Sequence, residues 1–597
     1  PQRPPQAPPE LQRPAPAEAA EGGSSSSMPG GWEAAKAGEG ESWEIFLSRA
    51  KDRSSGVADA PLDLFEAFRT TDDLGLTFAT FARLFQLASQ ASSDSPWGSA
   101  GPLPYERLRV LLGGNWKTRC TVGQAKKLWE KLDKRSAKPE FADSPCGCGR
   151  LGGRRIVVVG GGPCGLYAAI ALRLLGAAVT VVERRQEFSR INQLHIWPWC
   201  GEEIKELGAR CLEPPPPDFG ANPDLLSIGI SDLQVMLLKT ALLFGVEILL
   251  GTEFKQIVFA SGTWTVRLAA ASPGPPAGPS PGPPTELRDV GAVVGTDGGA
   301  VVGEAVGIQT VELGSLRAED AIGLVCNFAP MSTAGARKLR SFALASQFYG
   351  PLFRRLSEAT GAELENIVFT KSKGSYYFVM TPTRRCLAQC GVLRDPAHKP
   401  LLARENVDRA ALEAFCRRVV GFRLKEGEPT LQEVADEAVA EGAPAGAEGC
   451  GGLGFADRGP QLFDFSKLRR AAEGLAFLEP PPGAAAGRGD ADEVALPVLL
   501  AGDALLEPFW PEGLGIVRGF LSSLDVCSTL VRWSGGASRE AAHEHFSASF
   551  AQLKTLGART RTSVLRPEEG KYALDPSTRY RTLNSASGTA AAVASMI

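Results

Sequence analysis

The fold is decided by the stretch RRIVVVGGGPCGLYAAIALRLLGAAVTVVERR, residues 154–185. Its first apolar run, 156–159, predicts a strand that is buried on both faces. Gly160, Gly162 and Gly165 follow in the spacing G-x-G-x-x-G, directly before a helical segment. A second apolar run, AAVTVVE, comes after that segment. This strand, turn, helix and strand order predicts a Rossmann-type βαβ unit.

The spacing of the glycines points to a nucleotide. The first glycine permits a tight turn, the second lets a pyrophosphate approach the backbone, and the third lets the helix pack on the strand. The N–H groups at the start of the helix then point at the phosphates. Glu183 ends the second strand, where a carboxylate binds a ribose hydroxyl in dinucleotide sites. We therefore predict a dinucleotide site here, against the alternative of a purely structural turn.

Two later segments distinguish FAD from NAD. GTDG (295–298) and AGDA (501–504) each place an aspartate after an apolar, strand-like run. Late Gly-Asp segments of this kind resemble those of the flavoprotein hydroxylases, in which the aspartate holds the ribityl chain of FAD. An NAD-dependent dehydrogenase would need no second nucleotide-contacting segment near the C-terminus. FAD is therefore favoured, with Asp503 directed at it, and a simultaneous role of Asp503 as a helix N-cap is compatible with this.

Composition limits the remaining possibilities. A chain of 597 residues with 44% apolar content can bury more than one core, and a formal charge of −3 creates no general attraction for nucleic acid or anionic membranes. The longest apolar run, 235–250, is interrupted by Lys239 and Glu247 and predicts a helix followed by a strand, not a membrane span. Twelve scattered cysteines and only four histidines predict free thiols in a reducing compartment and no metal site.

Compositional shifts divide the chain. The predicted fold class is α/β, with a Rossmann-type FAD-binding domain and a small N-terminal helical region. The resemblance to the flavoprotein hydroxylases implies that the second domain is a mixed-sheet monooxygenase domain like that of p-hydroxybenzoate hydroxylase. Residues 335–356 are predicted to be helical. The predicted organisation is a disordered low-complexity segment at 1–60, a helical region at 61–145, the first part of the FAD-binding domain at 152–325 with a disordered insertion at 272–286, a monooxygenase or substrate domain at 326–490, the second part of the FAD-binding domain with closing helices at 491–584, and a tail at 585–597.

Five motifs carry a more specific resemblance. They are GPCGL (162–166), ERRQEFSRINQLHIWPW (183–199), ENIVF (365–369), YYFVMTP (376–382) and GDALLEPFWPEGLG (502–515). In this order they closely resemble the MICAL flavin monooxygenases, and flanking segments extend the resemblance over about residues 61–584. The calponin-homology and LIM modules that usually follow in animal members are absent from the sequence. Ile191 also departs from the family, which commonly has a polar residue there.

The resemblance implies a set of site residues. Trp510 would lie beside the isoalloxazine, although a core anchor for the last long helix is the alternative. Trp510 and Tyr377 are the catalytic candidates. The cofactor-binding candidates are Gly160, Gly162, Cys164, Gly165, Glu183, Arg184, Arg185, Arg190, Ile191, Asn192, Phe254, Tyr377, Asp503, Pro511, Gly513 and Gly515.

The resemblance also implies the reaction. NADPH would reduce FAD, the reduced flavin would take up O2 as a C4a-hydroperoxide, and the terminal oxygen would pass to a methionine sulfur on filamentous actin, which promotes filament disassembly. A thioether is already nucleophilic and needs no general base. Basic residues such as Arg184, Arg185 and Arg190 would suit the 2′-phosphate of NADPH. The implied partners are filamentous actin, O2 and NADPH, without nucleic acid or a membrane span, in a cytoplasmic and cytoskeleton-associated setting.

Three other functions stay open on the sequence. One is a hydroxylase of small aromatic compounds that uses Tyr376 or Tyr377 to polarise a phenol, and another is an NADPH oxidase that releases hydrogen peroxide. The third is a non-catalytic actin-binding scaffold that retains FAD for stability. The basic segments 353–356 and 384–385 are candidates for actin docking, with an ordinary solvated face as the alternative.

Overall fold

The computed structural model describes most of the chain. The predicted disordered segments 1–60 and 272–286 lie outside the described part, except for residues 60, 285 and 286. The predicted tail 585–597 lies outside it entirely. The described residues are 60–91, 103–113, 120–141, 149–210, 212, 226–271, 285–299, 301–313, 322–372, 374–442, 453–456, 459–465, 468–482, 494–508, 513–556 and 572–580.

The N-terminal helices form because apolar residues recur every three to four positions. In the first helix Leu64, Phe65 and Phe68 are buried together, and Trp129 of the fourth packs on Phe65 with ring centroids 5.4 Å apart. This cluster is continuous with the core of the sheet that follows. The helices are α1 (Pro61–Thr70), α2 (Leu74–Ala91), α3 (Pro104–Leu112) and α4 (Cys120–Ser136), followed by a 3₁₀ turn (Pro139–Phe141).

A six-stranded sheet forms the first module. All neighbouring strands described here are parallel except one edge pair, Leu475–Leu478 and Leu496–Leu500, which is antiparallel. Ile156, Val157 and Val158 are at most 1% exposed, as expected for a strand covered on both faces. In spatial order the strands are β17 (Leu475–Leu478), β18 (Leu496–Leu500), β9 (Val290–Gly295), β1 (Arg155–Val159), β2 (Ala178–Glu183) and β5 (Glu247–Leu250).

Helices and smaller ladders complete this module. The apolar run 235–250 divides into a helix and the strand β5, as predicted. The helices are α5 (Pro163–Leu174), α6 (Pro198–Glu206), α7 (Ile230–Phe244), α8 (Val301–Ala305), α14 (Gly515–Ser534) and α15 (Arg539–Lys554), with 3₁₀ turns at Gly502–Ala504 and Pro576–Thr578. The ladders are β3 (Gln193–Ile196) with β4 (Leu226–Gly229), β6 (Thr252–Ala260) with β7 (Thr263–Ala270) and β8 (Glu286–Leu287), and β10 (Thr310–Leu313) with β16 (Leu468–Ala471).

The second module is a five-stranded sheet with its own hydrophobic core. All of its described ladders are antiparallel. In spatial order the strands are β12 (Phe342–Ala345), β13 (Leu364–Lys371), β14 (Tyr376–Pro382), β11 (Ile322–Phe328) and β15 (Gln461–Asp464). The helices are α9 (Ala334–Lys338), α10 (Gly350–Thr360), α11 (Arg384–Gln389), α12 (Arg409–Val420) and α13 (Leu431–Ala440).

The predicted α/β fold class is confirmed, and two details differ from the sequence interpretation. The stretch 335–356 is not one helix, because Phe342 and Leu344 are buried alternately and pair in β12 with Phe369 and Ile367. In addition β17, which lies within 326–490, belongs to the first sheet, where it pairs with β18. Sequential strands often pair in this way.

A buried charge cluster ties the N-terminal helices to the first module. Arg135 of α4 donates to Glu203 of α6 at 2.7 Å, and the hydroxyl of Tyr167 in α5 donates to the same carboxylate at 2.7 Å. The side chain of Arg135 is 2% exposed. A buried charge needs such partners. Helix α4 is therefore held against α5, which follows the glycine-rich turn, and against α6, which follows Trp197.

Among the described residues, no helix combines the length and the hydropathy needed to span a bilayer.

Candidate active site

The three glycines of the turn have different surroundings. Gly160 has φ +110°, and a Cβ there would lie 2.8 Å from the carbonyl carbon of Thr296. A Cβ on Gly165 would overlap the carbonyl oxygen of Gly160. Among the described residues, apart from the turn's own neighbouring backbone, no atom lies within 4 Å of a Cβ built on Gly162. The first and third glycines are therefore required for packing, whereas the second borders open space at the start of α5.

Backbone hydrogen bonds bring four segments to one edge of the sheet. Thr296 N donates to Val159 O at 2.8 Å, and Gly160 N donates to Val182 O at 2.8 Å. Ala501 N donates to the carbonyl of Gly295, where β9 ends, at 2.9 Å. Because β1, β2, β9 and β18 run parallel, their carboxyl ends meet here. Ligands of open α/β sheets bind at this edge.

Glu183 lies at the mouth of the glycine-rich turn. Its Oε2 accepts a hydrogen bond from Gly161 N at 2.8 Å and its Oε1 accepts one from Arg185 N at 2.8 Å. Each carboxylate oxygen has a second acceptor position. The side chain is therefore held in place by the backbone and still able to accept a ribose hydroxyl.

Asp503 and Arg190 influence each other across this edge. Solvent reaches the Asp503 side chain, yet protein atoms crowd around it. Burial raises the pKa of Asp503 to about 6, against the opposing effect of Arg190. The pKa of Arg190 is lowered, chiefly by burial and next by the positive charge of Arg185. The negative charge of Asp503 acts in the opposite direction. The carboxylate is thus open to solvent on one side, surrounded by protein on the other, and within electrostatic range of a cation.

Replacing Asp503 with asparagine should stabilise the protein without cofactor at neutral and alkaline pH. The folded-state pKa of about 6 lies above the ordinary value of 3.8, so the folded state binds this proton more tightly than the unfolded state. The resulting stability is present in full below about pH 4 and is lost as the pH rises through about 6. Calorimetry should give Asp503→Asn a higher thermal midpoint than wild type at pH 8, with no difference near pH 4. A lower midpoint at pH 8 would contradict the stated cause.

The second module presents a buried polar row to the same region. Tyr377 pairs across the sheet with Asn327 on β11 and with Thr370 on β13, and all three are at most 5% exposed. The Asn327 side chain donates to Asn192 Oδ1 at 3.2 Å, and Ser375 Oγ donates to Ile191 O at 3.4 Å. The structure thus brings the predicted residues Ile191, Asn192 and Tyr377 together. Asn327 was missed, because a single amide within an apolar strand carries no recognisable signal.

The neighbouring Tyr376 points to the other side of its strand. Its hydroxyl donates to Met331 O at 3.0 Å, and its ring lies edge-on to Phe369 in the second core. Of the two tyrosines considered for phenol activation, only Tyr377 lies on the row that contacts the first module. Burial raises the pKa of Tyr377 above its ordinary value, so the phenol is neutral.

Trp197, which was not among the predicted site residues, holds the turn that contains Gly513. Trp197 Nε1 donates to Gly513 O at 2.6 Å, and Trp197 is 1% exposed. Gly513 has φ +64°, a conformation suited to glycine. Gly515 begins α14 directly after this turn. Trp510 and Pro511 lie outside the described residues, so their predicted roles stay predictions.

Two residues predicted to contact the cofactor, Cys164 and Phe254, have side chains packed against protein atoms, and their cofactor contacts stay predictions. Cys164 lies against Gly502 and Gly519, and a Cβ on Gly519 would overlap its sulfur. Burial raises the pKa of Cys164 above its ordinary value, so the thiol is neutral. Phe254 is 4% exposed within β6 and belongs to the first core. By contrast, Arg184 and Arg190 are exposed next to Glu183.

These features fit an adenine dinucleotide with a flavin. The open space at Gly162 and the N-terminus of α5 suit a pyrophosphate, Glu183 suits a ribose, and Asp503 suits the hydroxyls of a ribityl chain. Within the described part of the chain, no three His, Cys, Asp or Glu side chains are grouped to hold a metal ion.

Two family models match the chain. One, described as "Pyridine nucleotide-disulphide oxidoreductase", covers residues 108–212 and includes the glycine-rich turn. The other, described as "Mical, Rossman domain", covers residues 320–442. Despite that description, residues 320–442 form most of the antiparallel second module with Tyr377. The two matches therefore fall on the two halves of the site.

Curated relatives match over most of the chain. The rat protein "[F-actin]-monooxygenase MICAL1" is 33% identical over 492 residues, which are 81% of this chain and 41% of the relative. Human MICAL1 is 34% identical over 78% of this chain and 39% of the relative. The zebrafish "Protein-methionine sulfoxide oxidase mical3b" is 32% identical over 84% of this chain and 27% of the relative. The chain spans less than half the length of these relatives.

Solved structures resemble the chain more distantly. The flavin-dependent monooxygenase PieE, in complex with FAD and substrate, is 16% identical with a TM-score of 0.42, over 69% of this chain and 64% of that one. The p-nitrophenol 4-monooxygenase PnpA from Pseudomonas putida DLL-E4 is 16% identical with a TM-score of 0.40, over 70% and 91%. These similarities are too weak to indicate a substrate. The sequence identity to the curated relatives is much higher and runs through both halves of the site, and on that ground the chain belongs to the MICAL family.

Proposed function

We propose that this chain is an FAD-dependent monooxygenase that oxidises methionine sulfur on filamentous actin, with NADPH as the reductant. The observation that carries the proposal is the meeting of Gly162, Glu183 and Asp503 at one sheet edge, beside the Tyr377 row of the second module. The names of the rat and zebrafish relatives support the actin and methionine assignments. A cytoskeleton-associated location in the cytoplasm would follow from the actin substrate.

Each part of the site would have a distinct task. Gly162 and the start of α5 would hold the pyrophosphate, Glu183 the adenosine ribose, and Asp503 with Arg190 the ribityl region. The buried row of Asn327 and Tyr377 would close the site from the second module and exclude water. Bound FAD would accept two electrons from NADPH and activate O2, so that methionine, O2, NADPH and one proton give methionine sulfoxide, NADP⁺ and water.

The domain plan follows from the same proposal. Segments 152–325 and 491–584 would form the FAD-binding domain, with strand β17 added to it, and the rest of 326–490 would form the substrate domain. Among the basic candidates for actin docking, Arg354 and Arg355 are exposed on α10. Arg385 is engaged by Glu363, with N–O distances of 2.7 and 2.8 Å. Arg354 and Arg355 are therefore the better candidates for the actin contact.

Mass spectrometry of filamentous actin tests the proposal. The purified chain is incubated with actin, NADPH and catalase, which removes free peroxide. We expect a gain of about 16 Da, one oxygen atom, at one or two methionines and not at the others. Gly162→Val, which is expected not to retain FAD, should abolish this gain. Unmodified actin despite rapid NADPH consumption would contradict the proposal and favour an oxidase or a small-molecule hydroxylase.

The same assay tests the docking surface. The double variant Arg354→Glu and Arg355→Glu should raise the apparent KM for actin while leaving FAD content unchanged, because actin is strongly acidic. Arg288→Glu, an exposed arginine of the first module, is the matched control and should leave KM unchanged. Equal KM values for both variants would assign Arg354 and Arg355 to an ordinary solvated face.

A further inference from the structure

Two free cysteines lie against one carbonyl oxygen in the second module. Cys386 is in α11, and Cys390 follows four residues later at the C-cap of that helix. Cys386 Sγ donates to Gly361 O at 3.3 Å, and Cys390 Sγ donates to the same oxygen at 3.5 Å. Side chains four apart on a helix are neighbours. The two sulfur atoms therefore share one small site.

The two thiols differ in accessibility. Cys386 is fully buried, and its sulfur also accepts a hydrogen bond from Glu363 N at 3.1 Å. Burial raises the pKa of Cys386 from 9.0 to about 12. Its thiolate fraction at neutral pH is thereby lowered on the order of a thousandfold. Cys390 is only half-buried. An oxidant from solvent can reach Cys390 first.

We propose that Cys386 and Cys390 form a reversible disulfide when the protein meets hydrogen peroxide. The Cys390 thiolate attacks one peroxide oxygen, the O–O bond breaks, and the proton of the thiol leaves with the released water. The resulting Cys390 sulfenic acid is attacked by the sulfur of Cys386, so that the S–S bond forms and a second water leaves. Two thiols lose two electrons in total, and one peroxide becomes two waters. This inference is independent of the proposed function.

The geometry assigns a role to each cysteine and identifies the hydrogen bonds that the disulfide would break. Cys390 is the attacking residue because it is more accessible than the buried Cys386, and Cys386 is the resolving residue because Gly361 and Glu363 hold it beside Cys390. Disulfide formation removes both S–H donors from the carbonyl of Gly361, the residue that caps the end of α10 with φ +74°. Thiol reductants should restore the pair, because a disulfide is exchanged by thiolates.

Peptide mapping tests the pair directly. The protein is treated with hydrogen peroxide, alkylated after unfolding and digested with trypsin without a reductant. Trypsin cleaves after Arg385 and Arg394, so that both cysteines lie on the peptide 386–394. We expect this peptide to lose about 2 Da and both alkylation sites, and to recover them with dithiothreitol. The peptide 410–417 carries the buried Cys416 and is the internal control. After peroxide treatment, the fraction of Cys416 that can still be alkylated should be about tenfold larger than the corresponding fraction of Cys386 and Cys390.

Two single variants test the order of events. Cys386→Ser should trap Cys390 as a sulfenic acid that dimedone labels, whereas Cys390→Ser should leave Cys386 unlabelled. The circular dichroism of both variants should match wild type. The proposal is overturned if peptide 386–394 keeps both thiols while added glutathione in the same tube is oxidised. It is equally overturned if the Cys416 peptide is oxidised to the same extent, because the reaction is then general.

Discussion

Alanine at Gly165 is expected to abolish flavin binding by disrupting the fold around the glycine-rich turn. A Cβ there would overlap the backbone carbonyl oxygen of Gly160 and would lie only 2.5 Å from the hydroxyl of Thr296. The carbonyl cannot retreat easily, because Gly160 itself is packed at φ +110° against Thr296. Overpacking of this kind costs about 3 kcal/mol or more. Urea unfolding should show that loss, and the purified variant should contain no FAD.

Gly162→Ala is the matched control for this prediction. Gly162 has φ −70° and ψ 173°, which alanine adopts without strain, and in the described part of the chain nothing beyond the adjoining backbone lies within 4 Å of the added methyl group. The stability of the protein without cofactor should therefore change by no more than about 0.5 kcal/mol. FAD affinity should nevertheless fall, because the methyl group projects where a pyrophosphate would approach. If both variants lose stability equally, or if both retain FAD, the division of roles among the glycines is wrong.

The parts of the site that could be predicted are those whose position follows from the sequence of adjacent strands, turns and helices along the chain. A buried strand followed by a glycine turn places Glu183 and the turn at the same sheet edge, whatever the rest of the chain does. Asp503 could be placed for the same reason, since it follows β18. Strand β12 could not, because Phe342 and Leu344 alternate over only four residues and a neighbouring helical pattern conceals them.

Contacts between distant segments were beyond prediction for a different reason. Trp197 and Gly513 are separated by more than three hundred residues, yet one hydrogen bond joins them. Asn192, in the loop before β3, and Asn327 of β11 are joined by one side-chain hydrogen bond between the two modules. Such pairs depend on tertiary packing, which residue periodicity does not encode. Within GPCGL, the sulfur of Cys164 fills the space beside Gly519, and the predicted contact of Cys164 with the cofactor stays a prediction.

The segment 572–580 is fastened to α14 by a buried cluster of polar groups. Asp525 of α14 accepts hydrogen bonds from Arg579 and, at 2.6 Å, from the hydroxyl of Tyr580. The side chains of Arg579 and Asp525 are 0% and 2% exposed. Arg579 also donates to the carbonyl oxygen of Leu574 at 2.6 Å. Tyr572 packs on Trp199, with ring centroids 4.5 Å apart. One arginine therefore neutralises a buried carboxylate and orders its own loop.

Replacing Arg579 with leucine should cost about 3–5 kcal/mol, because Asp525 would stay buried without its cation. The urea midpoint should fall accordingly, and the segment 572–580 should become sensitive to protease. Adding Asp525→Leu should recover most of the loss, since an apolar pair of similar volume is often tolerated where a buried ion pair stood. Arg288→Leu is the control: that arginine is 68% exposed beside Glu286, and an exposed pair contributes about 1 kcal/mol at most. If Arg579→Leu costs no more than Arg288→Leu, the cluster does not hold the segment, and the stacking of Tyr572 on Trp199 must do so alone.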